Sequence, residues 1–255
     1  MQFIDTHAHL YLENFRTDKD EVINRARNKG IRKIILPNID SASLEPMHQM
    51  AKDYPDMCVP LVGLHPTHVK ENFREELEII FRSTEGYAYK AVGEIGIDLY
   101  WDKTYLEQQI KTFEFQLNFA VEHKLPVVIH ARESFPEIID IVSRSEYRNL
   151  RGIFHAFSGN QTLAKQIIGM GYLLGIGGVL TFKNSKLSEV IRNIDLDHLV
   201  LETDSPFLAP TPFRGKRNES SYVYLVAEKL AEIKGVPLEK VAEITTINAK
   251  NLFLI

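Results

Sequence analysis

A single cysteine, Cys58, among 255 residues excludes internal disulfides and any multi-thiolate zinc site. Its neighbours Met57 and Val59 suit a small buried hydrophobe. No stretch approaches the ~18 apolar residues of a membrane span. The start Met1-Gln2-Phe3-Ile4-Asp5 has no basic segment followed by an apolar one, so the expectation is a soluble, cytoplasmic protein with no obligate protein partner. Neither charge sign dominates: 30 basic residues against 34 acidic ones leave a net charge of -4, which excludes a general binder of polyanions or anionic membranes. Any polyanion must therefore be held locally. Also missing are a G-x-S-x-G elbow, a P-loop and a dinucleotide fingerprint, since Gly175-Ile176-Gly177-Gly178 has the wrong spacing. Covalent catalysis by a serine and Rossmann-type chemistry lose their sequence support.

What is present is a repeat of short β-rich apolar runs. They occur at Phe3-Ile4, Ile34-Leu36, Leu61-Val62, Ala91-Val92, Val127-Ile129, Ile153-Phe154, Tyr172-Leu174 and Leu199-Leu201, with starts 19 to 36 residues apart and helical periodicity between most of them. Eight such units predict an α/β fold, a (β/α)8 TIM barrel, as one domain over residues 1–255. The clearest helix follows the fourth run, with Leu106, Ile110, Phe113, Leu117 and Ala120 on one face. Thr104 with Glu107, and Ser134 with Glu137, read as capping boxes. The prolines of Ser205-Pro206-Phe207-Leu208-Ala209-Pro210-Thr211-Pro212 predict a loop. Extra C-terminal helices, about Ser221–Lys234 and Leu238–Leu252, are expected to pack outside the barrel.

Chemistry-bearing residues fall at the ends of these runs. In Asp5-Thr6-His7-Ala8-His9 the two histidines are two residues apart, so on a strand both imidazoles share a face, with Cα atoms roughly 6 to 7 Å apart. Glu94, His130, His155 and Asp204 each follow an apolar run almost at once, at the barrel end where such folds keep their active sites. Any one of them alone fits a structural role satisfied by backbone hydrogen bonds. Four imidazoles and two carboxylates on one rim are costly to bury without a cation, which points to divalent metal. Six ligands exceed the roughly three protein ligands of one open catalytic site, so two ions are expected. Glu94 is the expected bridge, with His7, His9 and Asp204 on one ion and His130 and His155 on the other. Paired ions make a side-chain nucleophile unnecessary for hydrolysis at phosphorus. The metal is left open among Mg²⁺, Mn²⁺ and Zn²⁺.

Taken together, Asp5-Thr6-His7-Ala8-His9, Gly63-Leu64-His65-Pro66, Gly93-Glu94-Ile95-Gly96-Ile97-Asp98, His130-Ala131-Arg132, His155-Ala156-Phe157-Ser158-Gly159 and Glu202-Thr203-Asp204-Ser205-Pro206 resemble TatD-type metal-dependent deoxyribonucleases, a branch of the amidohydrolase-like barrel hydrolases. The resemblance spans the whole chain. It implies a distorted TIM barrel, divalent metal dependence and phosphodiester hydrolysis, often as a 3′-to-5′ exonuclease on DNA ends or single-stranded DNA. It also supports the six ligands position by position, with Glu94 where related barrels often carry a carboxylated lysine. Arg217-Asn218-Glu219-Ser220 departs from the family, which commonly has proline after Asn-Glu, and a less rigid loop is expected there.

A second tier of residues surrounds the ligands. His65 resembles a family residue near the scissile phosphate and is assigned to catalysis and substrate binding by charge stabilisation. Glu202 shares the parity of Asp204 and is expected inside the barrel as a ligand orienter or proton shuttle. Asp5 shares the parity of the histidines and is either an orienter of one of them or a core hydrogen-bonding group. Arg132, Arg214, Lys216 and Arg217 are candidate phosphate contacts or simply solvated loop residues. Tyr100, Trp101 and Tyr105 fit either loop packing or stacking on unpaired bases. His48, His68, His123 and His198 are assigned to surface or packing. Two other functions stay open: hydrolysis of an ester or amide, including aminoacyl-tRNA deacylation, and a non-catalytic metal-binding module.

Overall fold

The computed structural model describes residues 1–255. β1 (Phe3–Asp5), β2 (Ile31–Leu36) and β3 (Cys58–Pro60) form one parallel sheet; β4 (Val92–Asp98), β5 (Val127–Arg132), β6 (Gly152–Phe154), β7 (Tyr172–Ile176) and β8 (Leu199–Leu201) form a second. Single parallel bridges, Val62 to Val92 and Ala8 to Ser205, join the two sheets at both seams. The ring is therefore closed, a (β/α)8 barrel that is thinned at the seams. The helices α1 (Lys19–Asn28), α2 (Leu44–Asp53), α3 (Phe73–Arg82), α4 (Leu106–His123), α5 (Phe135–Val142), α6 (Gln161–Gly169) and α7 (Leu187–Arg192) connect successive strands. α8 (Val223–Lys234) and α9 (Leu238–Phe253) follow β8. No helix is long and apolar enough to cross a membrane.

Two apolar layers follow from strand alternation. A cluster of 58 buried residues packs the outward strand faces against the helices. A smaller one contains Ile4, Ile35, Val59, Ala91, Val128, Ile153 and Val200, contributed by seven strands or strand approaches and meeting inside the barrel. Above this layer, residues of the same parity become polar: His130 follows Val128, His155 follows Ile153, and Glu202 follows Val200. The apolar layer is the floor on which the polar site stands.

Several local expectations change. The third run is strand only over Cys58–Pro60, and Val62 makes just the seam bridge. Glu94 and His130 lie within β4 and β5 rather than past their ends. Neither capping box forms: Tyr105 takes the cap position of α4, and Ser134 donates its hydroxyl to the Ile97 carbonyl at 2.5 Å, tying α5 to β4. α9 does not merely pack outside. Its Ala249 and Phe253 join the interior cluster and close the end of the barrel opposite the histidines.

Candidate metal centre

Glu94 is the hub. Strict alternation from Ala91 would aim it at the helices, but β4 carries an irregularity, with Val92 opposite Val127 and Ile95 opposite Ile129, so three steps on β4 match two on β5. The extra residue turns the Glu94 carboxylate into the barrel mouth, where it is 2% exposed. Its Oε2 lies 3.0 Å from His7 Nε2 and 3.5 Å from His9 Nε2. Its Oε1 lies 2.8 Å from His130 Nδ1, 3.0 Å from His155 Nε2 and 3.1 Å from His65 Nε2. Asp204 completes the first group, with Oδ1 at 3.8 Å from His7 Nε2 and 3.6 Å from His9 Nε2. Its backbone is in the left-handed region, φ 59°, which points the carboxylate back over the barrel.

These spacings are those of ligands sharing an ion. Nitrogens bonded at ~2.0–2.1 Å to a tetrahedral ion stand roughly 3.3 Å apart, and His7 Nε2 and His9 Nε2 are 3.2 Å apart. Three overlapping groups of ligand atoms are close enough to hold metal: His7, His9 and Glu94; His7, His155 and Asp204; His65, Glu94 and His130. Hydrogen bonding separates the members. The Tyr11 hydroxyl gives its one proton to the Pro37 carbonyl at 2.5 Å, so the 2.9 Å contact from His9 Nδ1 must be donated by the imidazole. With Nδ1 so engaged, Nε2 is the His9 atom that faces the carboxylate oxygens of Glu94 and Asp204, a placement suited to a cation between them. His65 is the reverse. Its Nδ1 accepts from the Thr67 backbone N–H at 3.1 Å, so its Nε2 carries the proton and is a donor toward Glu94.

Burial amplifies the electrostatics. It drives His7 well below the ordinary imidazole range, and it lowers His65 to about 4, so both are neutral. Burial also raises Asp204 to about 6. Glu94 stays well below its ordinary value because the surrounding histidines outweigh burial. His155 is raised well above the ordinary range: burial opposes its protonation, and Glu94 and Glu202 overcome it. Protons thus compensate the buried carboxylates in part, a role that a divalent ion fills with more charge. The donor set fits such ions.

Neighbouring residues hold these histidines in place. Asp98, 1% exposed, holds His130 Nε2 at 2.9 Å with one oxygen, while its other oxygen accepts from the backbone N–H groups of Tyr100 at 2.9 Å and Trp101 at 3.0 Å. Glu202 Oε1 accepts from Ala156 N–H at 2.6 Å and lies 3.4 Å from His155 Nδ1. Gly175 leaves the space for that carboxylate, since a Cβ there would stand 2.2 Å from Glu202 Oε2. Asp5 does not reach an imidazole. It accepts from Thr203 N–H at 2.9 Å, from Thr203 Oγ1 at 2.7 Å and from His7 N–H at 3.3 Å, tying β1 to the turn that carries Asp204.

The family model described as TatD related DNase matches residues 4–254. The chain is 39% identical to the metal-dependent hydrolase YabD of Bacillus subtilis over 252 residues, covering 98% of each protein. It is 31% identical to the metal-dependent hydrolase YjjV of Escherichia coli, covering 99% of this chain and 98% of that one. The chain belongs to the TatD family. It is a metal-dependent hydrolase. The crystal structure of the TatD homologue YjjV superposes with a TM-score of 0.93 over 99% of this chain and 98% of that chain. A phosphotriesterase homology protein of E. coli, crystallised with phosphate in its active site, shares the fold at 13% identity and a TM-score of 0.71, covering 99% of this chain and 98% of that one.

Within this TatD-family site the structure brings together His7, His9, His65, Glu94, His130, His155, Glu202 and Asp204. Arg132 lines the same cavity, of about 410 Å³. The other three cations expected at the rim do not line it. Arg214 lies over the Phe182 ring at 4.6 Å. Lys216 and Arg217 line a separate groove beside α1 and α8, and the Arg217 guanidinium is taken up by Asp18 at 2.5 and 2.7 Å and the Asn14 carbonyl at 2.7 Å. Arg217 therefore acts in the structure as a loop anchor. Asn218, Glu219 and Ser220 are buried, and Asn218 Nδ2 donates to the Thr203 and Phe207 carbonyls at 2.7 Å each, so the loop is anchored without the family's proline.

Two contributors escaped sequence reading. Asp98 shares the parity of Glu94 on β4, a signal that was available. His68, placed among the packing residues, lines the cavity and pairs with Asp40 at 2.9 Å. Tyr105 turns away to hydrogen-bond Glu71 under the Lys70 ammonium.

Proposed function

We propose that the protein is a two-ion phosphodiesterase that releases nucleotides from DNA ends, working from 3′ to 5′. One observation carries the reading: the two oxygens of Glu94 face different ligand groups, Oε2 toward His7 and His9 and Oε1 toward His130 and His155. A carboxylate so placed would hold paired ions, with His7, His9 and Asp204 on one side and His130 and His155 on the other. Divalent ions there would supply Lewis acidity, lowering the pKa of water and neutralising charge on a phosphodiester.

The chain's own groups do the rest. Neutral His65, its Nε2 proton fixed by the Thr67 N–H, is a hydrogen-bond donor for a phosphate oxygen. Arg132 offers a guanidinium at the mouth of the same cavity. Asp204 brings a carboxylate beside His7 and His9, where it would complete the ligands on that side. Glu202 and Asp98 hold His155 and His130 in orientation.

The test is a time course on end-labelled single-stranded DNA with Mg²⁺, Mn²⁺ or Zn²⁺. Stepwise release of mononucleotides from the 3′ end is expected, abolished by chelator and by Glu94→Gln. Intact DNA with all three metals overturns the reading, and cleavage of an aminoacyl ester under the same conditions would move the assignment to ester hydrolysis.

A further inference from the structure

His9 stands past the end of β1, so no strand ladder fixes it. Its backbone N–H donates to the Ser205 carbonyl at 2.7 Å, which anchors the residue on the β8 flank, one position from Asp204. The ring is held from the β2 flank. Its Nδ1 donates to the Tyr11 hydroxyl at 2.9 Å, and that hydroxyl donates to the Pro37 carbonyl at 2.5 Å. The two rings meet at 81° with 5.8 Å between centroids, so the contact runs through the imidazole edge and not through stacking.

The far end of this relay is tied to the segment that carries Glu94. Pro37 directly follows β2, and its neighbour Asn38 is fully buried. Asn38 N–H donates to the Gly93 carbonyl at 3.1 Å, and Glu94 N–H donates to the Asn38 carbonyl at 3.3 Å. Asn38 Nδ2 donates to the Gly63 carbonyl at 2.8 Å, and its Oδ1 accepts from the Ser43 hydroxyl at 2.9 Å, so the segment is held on every side. One hydroxyl thus connects the His9 ring to the backbone that sets Glu94, whose Oε2 lies 3.5 Å from His9 Nε2. The other imidazoles are held differently. His130 has the Asp98 carboxylate at 2.9 Å, whereas His7 Nδ1 has no hydrogen-bond partner and its ring is stacked on His155 at 3.8 Å.

We propose that Tyr11 is the positioning residue for His9: it fixes which imidazole nitrogen faces the ion and sets the spacing between His9 Nε2 and Glu94, from the far side of the ring. This rests on the two-ion reading of the metal centre. A ligating imidazole needs its second nitrogen satisfied, and a carboxylate in that place also makes the ring more basic. A phenol satisfies the nitrogen without adding negative charge. On this side of Glu94 the charge comes from Asp204, which faces His7 and His9 directly. Loss of the Tyr11 hydroxyl frees the His9 ring to turn and leaves the Asp98 contact to His130 untouched, so its effect falls on one ion.

Tyr11→Phe removes the hydroxyl and keeps the ring. Metal-stripped wild type, Tyr11→Phe, Asp98→Asn and the double variant are titrated with Mn²⁺ or Zn²⁺ by calorimetry. Tyr11→Phe is expected to weaken one of two binding steps by about 10- to 100-fold, Asp98→Asn the other, and the double variant both. The thermal midpoint of metal-free Tyr11→Phe should stay close to wild type. In metal-free protein with isotope-labelled histidine, magnetic resonance should show a ring Nδ1–H protected from solvent exchange, assigned to His9 by its loss in His9→Gln and lost also in Tyr11→Phe. Absence of that signal from the wild type overturns the proposal whether or not the variant folds. So does a collapsed midpoint in Tyr11→Phe, which makes the part of Tyr11 structural, or weakening of the same step that Asp98→Asn weakens. A single step in the wild type, weakened by Tyr11→Phe, keeps the proposal and overturns the two-ion reading; two steps, neither moved by Tyr11→Phe, do the opposite.

Discussion

Replacing Asp98 by asparagine separates the two tasks of one carboxylate. In the native protein Oδ2 holds His130 Nε2 at 2.9 Å, and Oδ1 accepts from Tyr100 and Trp101 N–H. Asparagine has a single oxygen. Kept on the two backbone donors, it turns its amide NH₂ toward the Nε2–H of His130, and the imidazole loses its anionic partner. Two unit charges at that distance interact by about 6 kcal/mol at an effective dielectric of 20, which bounds the effect. The actual loss is smaller, because Glu94 also faces His130 at 2.8 Å and an amide dipole replaces part of the field. Losing a partner of a metal-ligating histidine typically costs 10- to 100-fold in metal affinity or activity, or roughly 1.4–2.7 kcal/mol. Calorimetric titration of metal-stripped Asp98→Asn with Mn²⁺ or Zn²⁺ should show one binding step weakened by that factor, with a circular dichroism spectrum and thermal midpoint close to wild type. Wild-type affinity in every step would refute the claim that Asp98 orients a metal ligand, and a collapse of the thermal midpoint would show that its part is structural.

Other perturbations test separate parts of the account. Phe253→Ala empties the plug at the closed end of the barrel, where Phe253 is 1% exposed among interior residues; a loss of about 3–5 kcal/mol is expected in urea unfolding, and a loss below ~1 kcal/mol would show that α9 is dispensable there. Gly175→Ala places a methyl group 2.2 Å from Glu202 Oε2, so Glu202 must leave His155; turnover should drop roughly tenfold or more while the helical signal persists, and unchanged turnover would remove Glu202 from the machinery. Asp18 is held below its ordinary 3.8 chiefly by hydrogen bonds from Arg217. A carboxylate depressed in the folded state stabilises above its unfolded value and loses that contribution as pH falls through the folded one. The stability gap between wild type and Arg217→Met should therefore be present at pH 7 and shrink below about pH 4; a gap constant down to about pH 2 would show that packing on Phe15 and the Asn14 carbonyl, not the ion pair, carries it.

Part of this molecule was open to sequence reasoning because its strands obey a period of two. Val128 and His130, Ile153 and His155, and Val200, Glu202 and Asp204 share parity, so a buried apolar residue announced a polar one at the mouth. His7 and His9 were legible as a pair, although both lie past the end of β1, and the adjoining seam is closed by the bridge from Ala8 to Ser205. Failure came where a local pattern had a non-local competitor. Ser134 looked like a helix cap, but the Ile97 carbonyl takes its hydroxyl. Arg217 looked like a phosphate contact, but Asp18, nearly 200 residues earlier, takes its guanidinium. The C-terminal helix looked like an outer layer because its apolar face does not say which surface it covers, and the open base of the barrel took Ala249 and Phe253.

The amino-acid sequence by itself determined the eight-unit barrel, the histidines and carboxylates that gather at its mouth and the end of the barrel they occupy, because periodicity and spacing are local properties of the chain. Only the tertiary structure decided that an irregularity in β4 turns Glu94 inward, that its two oxygens face different histidines, that Thr67 makes His65 a donor, and that Trp101 and Phe207 line one cavity. Those outcomes depend on which atoms of distant segments meet and which proton each donor has left to give, and no spacing along one chain encodes that.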